Sequence, residues 1–368
     1  MKIKKLWIKW LLSMTPAVLA FLMYFLLPHF PKFTEYVISR GVFRIVAFPL
    51  EWIMSLLPFS FTETVVVLSI PILLTLLIIW IVKIIRKPNR KQSIERGCRF
   101  VCSCLSIALL LYMIMHGGNY YRLTVGELLK LPNRQYTKEE LYILTSDLAQ
   151  KASSAREKLP EDKNGCTVLS VSQSELLKLA DDCYDSLKED YPFFKTAVWR
   201  VKSVALSHWW SYTGTTGVYC PWTGESNVNT DVPPSELGHT AVHEIAHTIG
   251  IARENECNFL AWFACSESRQ PDYVYSGHLQ AYIYCSNALY KADRERWRKA
   301  FSNCSEGVVR DLKQSSAYWD GFEGVVMVSS QSFNDSFIKV NGVESGILSY
   351  NQMVELCLRY YQSQGYFN

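Results

Sequence analysis

His239-Thr-Ala-Val-His243-Glu244-Ile-Ala-His247-Thr-Ile-Gly250 is the stretch on which the reading of this chain turns. Two histidines four apart on a helix lie one above the other on one face, where both imidazoles can reach one zinc ion. The glutamate beside the first can then serve as general base for a zinc-activated water. A helix is expected here on local grounds, with Pro233-Pro234-Ser235 as its start and Gly250 as its stop. At roughly one in twenty per fixed position, such a short pattern turns up by accident a few times in a hundred chains of this size. The surroundings therefore have to carry the assignment.

Catalytic zinc keeps three protein ligands and one open position, so a third ligand is needed. Downstream stands Arg253-Glu254-Asn255-Glu256-Cys257-Asn258-Phe259-Leu260-Ala261. This segment resembles the glutamate-type zincins, whose third ligand is a Glu on a following helix, commonly in an E-x-x-x-(D/N) pattern whose last residue supports a histidine ligand. The resemblance favours Glu254, with Asn258 as the support. Glu256 stays as the alternative, with Leu260 then in the supporting position. The metzincin pattern fits less well, because Arg253 stands where its third histidine would be and a guanidinium cannot ligate zinc. His239, one turn before His243, reads as a satisfied helix residue. A developing oxyanion needs a further donor, for which Tyr273, Tyr275, His278 and Arg253 are candidates by proximity in sequence alone.

Outward from this segment, residues 118–368 carry the pattern of one globular domain. Apolar residues recur at helical spacing over 137–159 and 172–187, and Thr137-Lys-Glu-Glu140 is a capping box for the first of these. Residues 199–218 are rich in aromatic and β-branched side chains and suggest a strand or two. Gly217-Val-Tyr-Cys-Pro-Trp-Thr-Gly224 looks like a strand running into a turn. The segment 219–229 reads equally well as an edge strand walling a cleft or as a structural loop. Helical patterns return over 277–301 and 350–362, and 325–340 looks β-like. The expected fold is α+β, mostly helical with a small sheet, and preceded by an α-helical transmembrane region.

Three stretches before residue 118, at about 7–27, 65–82 and 100–115, have the length and apolarity to cross hydrocarbon about 30 Å thick. Between the first two lies 33–58, apolar but interrupted by Arg40, Arg44, Glu51 and two prolines. Charges at that spacing suit a segment lying in the interface or packed on the spans better than a fourth crossing. Lys83, Arg86, Lys87, Arg90, Lys91, Arg96 and Arg99 follow the second span, and the amino terminus is also basic. Both should face the cytoplasm. Three crossings then place 118–368 outside the cytoplasmic membrane, on the anchor formed by 1–117.

Charge follows the same division. Residues 1–99 carry 14 Lys/Arg and 4 Asp/Glu, against 24 and 30 in the remainder. An acidic soluble part argues against nucleic acid as a partner, since phosphate binding needs a basic footprint. The expected partners are the lipid bilayer and a polypeptide substrate, and oligomeric state is left open. Of the 11 cysteines, Cys166, Cys183, Cys220, Cys257, Cys265, Cys285, Cys304 and Cys357 lie downstream of the spans. An oxidising exterior would permit disulfides, but the spacings fix no connectivity.

The chain also resembles a bacterial membrane-protein family known as domain of unknown function 3810. The likeness is carried by 217–229, by His243-Glu-Ile-Ala-His-Thr-Ile-Gly-Ile-Ala-Arg-Glu-Asn-Glu-Cys-Asn-Phe-Leu-Ala261, by Tyr275-Ser-Gly277 and by Asn334-Asp-Ser-Phe-Ile-Lys339. It implies a zincin-like domain and no particular substrate. The expectation is a membrane-anchored zinc metallopeptidase with His243, His247 and Glu254 on the metal and Glu244 as general base. The competing expectation is a zinc-containing sensor or binding module without proteolytic activity. No site for any other cofactor is expected.

Overall fold

The computed structural model describes residues 2–86, 90–196, 200–343 and 350–367; Lys87 and Trp199 lie outside them. The chain divides into two compact units, one of residues 1–122 with 220–225 and one of 123–219 with 226–368.

The first unit is built on α1 (Lys2–Leu26), α2 (Phe43–Ser55), α3 (Phe61–Arg86) and α4 (Arg90–Met115). Leu6–His29, Phe61–Arg86 and Arg90–Met115 are each long and apolar enough to cross a membrane, which marks the chain as a membrane protein. These helices run beyond the expected 7–27, 65–82 and 100–115 because the backbone keeps its internal hydrogen bonds into the charged flanks. No side chain of α3 is buried, so its Leu, Ile and Val surface is left for hydrocarbon. Residues 33–55 are helical, but among the described residues only the three helices above are both long and apolar enough to cross a membrane. The charge that sets this stretch apart is absorbed locally. Buried Glu35 accepts from Arg122 at 2.7 and 2.9 Å and from Arg40 at 2.6 Å. Beside it, Ser39 donates to Asn119 at 2.7 Å. Glu225 caps the start of α3, accepting from the Phe61 and Thr62 backbone amides at 3.2 and 2.6 Å.

The second unit is mostly helical. Thr137 opens α5 (Lys138–Arg156) with the expected capping box, its hydroxyl accepting from the Glu140 amide while Glu140 reaches back to the Thr137 amide. Then follow α6 (Pro234–Thr248), α7 (Glu254–Ser266), α8 (Pro271–Ala292), α9 (Arg294–Phe301), α10 (Glu306–Asp320), α11 (Val325–Val340) and α12 (Tyr350–Ser363). The core forms where α6, α7 and α8 pack on one another, with α5 along α8 and α12 against α7. On α6 the residues Leu237, Ala241, Val242, Ile245, Ala246 and Ile249 are all buried. At about 1.5–3 kcal/mol per large side chain, this burial holds the helix far more firmly than its local propensity.

A small three-stranded sheet, order β1-β3-β2, completes the α+β fold: β1 is Lys202–Ser203, β2 Gly217–Cys220 and β3 Glu225–Val228. Strand β1 runs parallel to β3, with Lys202 opposite Asn227 and Ser203 opposite Val228.

Two local expectations need correction. The β-like stretch 325–340 is helix α11, because Met327 and Ile338, three turns apart, form its buried side and Asp335 and Lys339 pair across one turn at 2.6 Å. Its Val and Phe content suggested a strand, but packing decides. The helix expected over 172–187 is broken into Gln173–Lys178, Asp181–Tyr184 and Asp185–Asp190, the middle piece turning Cys183 and Tyr184 into the core.

Candidate metal centre

Helix α6 begins behind Pro233 and ends before Gly250, which holds the left-handed φ of +85° that only glycine adopts cheaply. Its last two turns carry His243, Glu244 and His247, and α7 opens with Glu254 in its first turn. The turn between the helices brings these groups together. His243 Nε2 lies 3.2 Å from Glu254 Oε2 and His247 Nε2 lies 3.7 Å from Glu254 Oε1.

The far side of each ring is held. His243 Nδ1 is 3.0 Å from Asn258 Oδ1, one turn along α7 from Glu254. His247 Nδ1 is 2.8 Å from the Ile251 carbonyl, which can only accept, so the proton sits on Nδ1 and the Nε2 lone pair faces Glu254. Burial pulls His243 toward the neutral form, but the Glu254 hydrogen bond and charge outweigh it, and its pKa is raised. For His247 burial prevails and the pKa is lowered. Two imidazole nitrogens and a carboxylate converging in this way could hold a divalent cation of borderline softness.

Glu256, the other candidate, points elsewhere. It accepts from the Val125 amide at 3.0 Å and from Arg253 at 3.1 Å, anchoring the chain where it enters the second unit. Cys257 comes close enough to His243 and His247 to be grouped with them as a possible metal set. Its sulfur, however, stands 3.4 Å from His247 Nδ1 and 3.4 Å from the Ile251 carbonyl. It thus meets the ring at the nitrogen already bonded to a backbone oxygen, opposite the edge that faces Glu254. Glu254 thus faces the Nε2 atoms of both rings and Cys257 the Nδ1 of His247. His239 is buried, its Nε2 3.3 Å from the Asn258 carbonyl, and burial lowers its pKa to about 3.

Glu244 is buried, and loss of solvent pushes its pKa up to about 8, more than the neighbouring His243 pulls it down. One of its oxygens, Oε2, has no hydrogen-bond partner among the described residues, while the backbone amide of Tyr219 donates to the carboxylate. Strand β2 passes so close that a Cβ on Gly217 would lie 2.4 Å from Glu244 Oε1. The ring of Tyr219 stacks on His247 with centroids 6.0 Å apart. From β3, Ser226 donates to the Glu244 carbonyl at 2.8 Å. Tyr219 and Ser226, with Gly217 on the same strand as Tyr219, are thus a wall of the site, where the sequence left 219–229 level between a cleft wall and a structural loop.

The four suggested oxyanion donors are engaged elsewhere. Tyr273 donates to the Leu176 carbonyl, Tyr275 to Asp311 at 2.6 Å and Arg253 to Glu256, while His278 accepts from Trp262 at 3.4 Å. Tyr284, two turns further along α8 and not singled out in the sequence, lies within the field of Glu254. Burial is the main cause that raises its phenol to about 12. No motif marked it, because its place depends on how α8 packs across α6 and α7.

Fold and site define a mostly helical membrane protein whose second unit gathers two histidines and a glutamate beside a buried, partly unsatisfied carboxylate. The chain belongs to the family described as "Protein of unknown function (DUF3810)", whose model matches residues 38–358. No curated protein matches the chain, and no solved structure does.

Proposed function

We propose that this protein is a membrane-anchored, zinc-dependent metallopeptidase of zincin-like design, hydrolysing peptide bonds of a polypeptide outside the cytoplasmic membrane. The observation that carries the reading is the shared focus of the His243 and His247 Nε2 atoms on the Glu254 carboxylate. The donor set fits zinc: two imidazoles with their outer nitrogens fixed, plus one carboxylate, which leaves a position for water. When bound, zinc supplies Lewis acidity to that water and to the substrate carbonyl.

The remaining work falls to the chain. Glu244, kept basic enough by its dry surroundings, takes the proton from the attacking water and returns it to the leaving amine. Gly217 and the Tyr219 amide hold that carboxylate in place. Basic residues at the amino terminus and on 83–99 set the anchor with its amino terminus in the cytoplasm and the second unit on the far side.

The test is purified full-length protein, with and without Glu244→Gln, assayed for zinc and for cleavage of a peptide library. Both forms should hold one zinc, and only the unsubstituted one should cleave. Equal cleavage by the two would remove the catalytic reading. Zinc without cleavage in either would leave a metal-holding binding or sensor module.

A further inference from the structure

Among the described residues, most of the second unit's exposed large apolar side chains fall in two segments, 206–212 and 325–340. The first holds Leu206, Trp209 and Tyr212, on and beside the short helix Ser207–Ser211. The second is α11, whose only buried side chains are Met327 and Ile338. The two segments are continuous. Met327 packs so closely on the turn after Tyr212 that a Cβ on Gly214 would lie 3.2 Å from its Cγ. The Tyr212 ring meets Trp209 with centroids 5.9 Å apart and Phe322, just ahead of α11, at 4.9 Å.

The pattern on α11 is directional. Val326, Phe333, Phe337 and Val340 follow at intervals of seven, four and three, which at 3.6 residues per turn confines them to an arc of about 60°. All four are exposed, Phe333 to 75%. Met327 and Ile338 lie about a third of a turn round the helix from this stripe. The two charged residues of α11, Asp335 and Lys339, pair with each other at 2.6 Å on the side turned away from it. A contiguous apolar face of this kind, bordered by uncharged Ser329, Ser330 and Ser336, marks an interaction surface.

We infer that α11 and the Trp209–Tyr212 patch dock on the bilayer that the chain's own spans cross, with the stripe sunk into the boundary between headgroups and acyl chains. Trp209, 66% exposed, and Tyr212 have the amphipathic rings that favour headgroup level. Residues 116–122 join the last apolar helix to the second unit, a connection that even fully extended spans less than about 30 Å. The patch is thus held at high effective concentration beside lipid. A second copy of the chain is the rival occupant, since 326, 333 and 340 recur every seven residues. A helix of 16 residues offers little more than two heptads, however, and Ser330 stands where such a seam needs an apolar side chain. The docking uses neither metal nor catalysis, so it stands apart from the peptidase reading, and it holds for either orientation of the spans. With no charge on the stripe, attachment is apolar and indifferent to headgroup charge.

The experiment places p-benzoylphenylalanine in the full-length chain at Phe333 or, as a control, at Glu306, whose side chain is 98% exposed at the start of α10. Each protein is reconstituted in phosphatidylcholine vesicles, with and without phosphatidylglycerol, irradiated and analysed by mass. The form substituted at 333 should gain the mass of one lipid, with equal yield in both kinds of vesicle. The form substituted at 306 should give at least about tenfold less, since a group in water meets no acyl chain. Val326→Asp with Val340→Asp should cut the yield at 333 about tenfold, because both charges would have to enter the interface. Both positions are exposed, so the thermal midpoint should stay where it is. An adduct at 333 with the mass of a second chain would make the face a dimer seam. Absence of a lipid adduct, equal adducts at 333 and 306, adducts only with phosphatidylglycerol, or a yield unmoved by the double variant would each overturn the docking. The comparison of 333 with 306 decides the matter even if the double variant is unstable.

Discussion

Two buried carboxylates, one from each unit, are treated in opposite ways. In the first, Glu35 is saturated: Arg122 grips both its oxygens, Arg40 adds a third contact, and each partner donates at 2.9 Å or less. In the second, Glu244 keeps an oxygen without a hydrogen-bond partner among the described residues, and Glu254 faces imidazoles. A carboxylate neutralised by fixed cations is part of the scaffold. One left partly unsatisfied beside titratable rings holds energy in reserve for something that arrives later, a proton or a cation.

The largest effect that could break this contrast is at the metal centre. Glu254→Ala should lower zinc affinity by at least about 100-fold, more than the 10–100-fold typical of losing an outer hydrogen-bond partner. Glu256→Ala, two residues away, should leave zinc content unchanged and act on stability instead, because it removes the anchor of Val125 and Arg253. Equilibrium dialysis against zinc on both variants decides it. Loss of metal in Glu256→Ala alone would reverse the assignment of the two glutamates.

Next in size is the saturated pair. Arg122→Ala strands Glu35 in a buried place, which costs about 3–5 kcal/mol for a typical pair, toward the lower end here because Arg40 remains. The thermal midpoint of the detergent-solubilised protein should fall clearly, with zinc binding unaffected. The double variant Glu35→Gln with Arg122→Met should regain much of the loss, since removing both charges leaves neither unpaired. A double variant as unstable as the single one would mean that the charges themselves, and not their mutual neutralisation, are needed.

How much of this could be read from residues alone follows from the range of the contacts involved. The span of α6 was legible because its start and stop signals, Pro233-Pro234 and Gly250, are local. The same holds for the capping box at Thr137 and for the three spans, whose length and apolarity need no tertiary knowledge. Glu254 and Asn258 were legible as a pattern, because ligand and support lie one turn apart on α7. The wall formed by Gly217 and Tyr219 and the position of Tyr284 were not, since each depends on distant segments meeting. Helix α11 misled for a related reason: Val and Phe favour strands on average, and only its packing through Met327 and Ile338 shows the helical period.

The smallest effect sharpens the comparison at the surface, where a carboxylate is neither buried deeply nor left wanting. Glu140 is held at about 2, chiefly by its pairing with Arg134, which outweighs the opposing effect of burial, with smaller help from the Thr137 amide and hydroxyl. Because its folded-state pKa lies below the ordinary 4.5, the stability it adds is fully present above that value. It drains away as pH falls from about 4.5 toward 2. Thr137→Ala removes the hydroxyl half of the box and should cost about 1 kcal/mol at neutral pH. That penalty should shrink as the medium is acidified through the same window, because protonated Glu140 no longer accepts from the Thr137 hydroxyl, which the variant lacks, with a full charge. Thermal midpoints of the two proteins, measured from pH 7 down to pH 3, should therefore converge. Parallel curves would show that Thr137 and Glu140 act independently, and that this carboxylate is held by Arg134 alone.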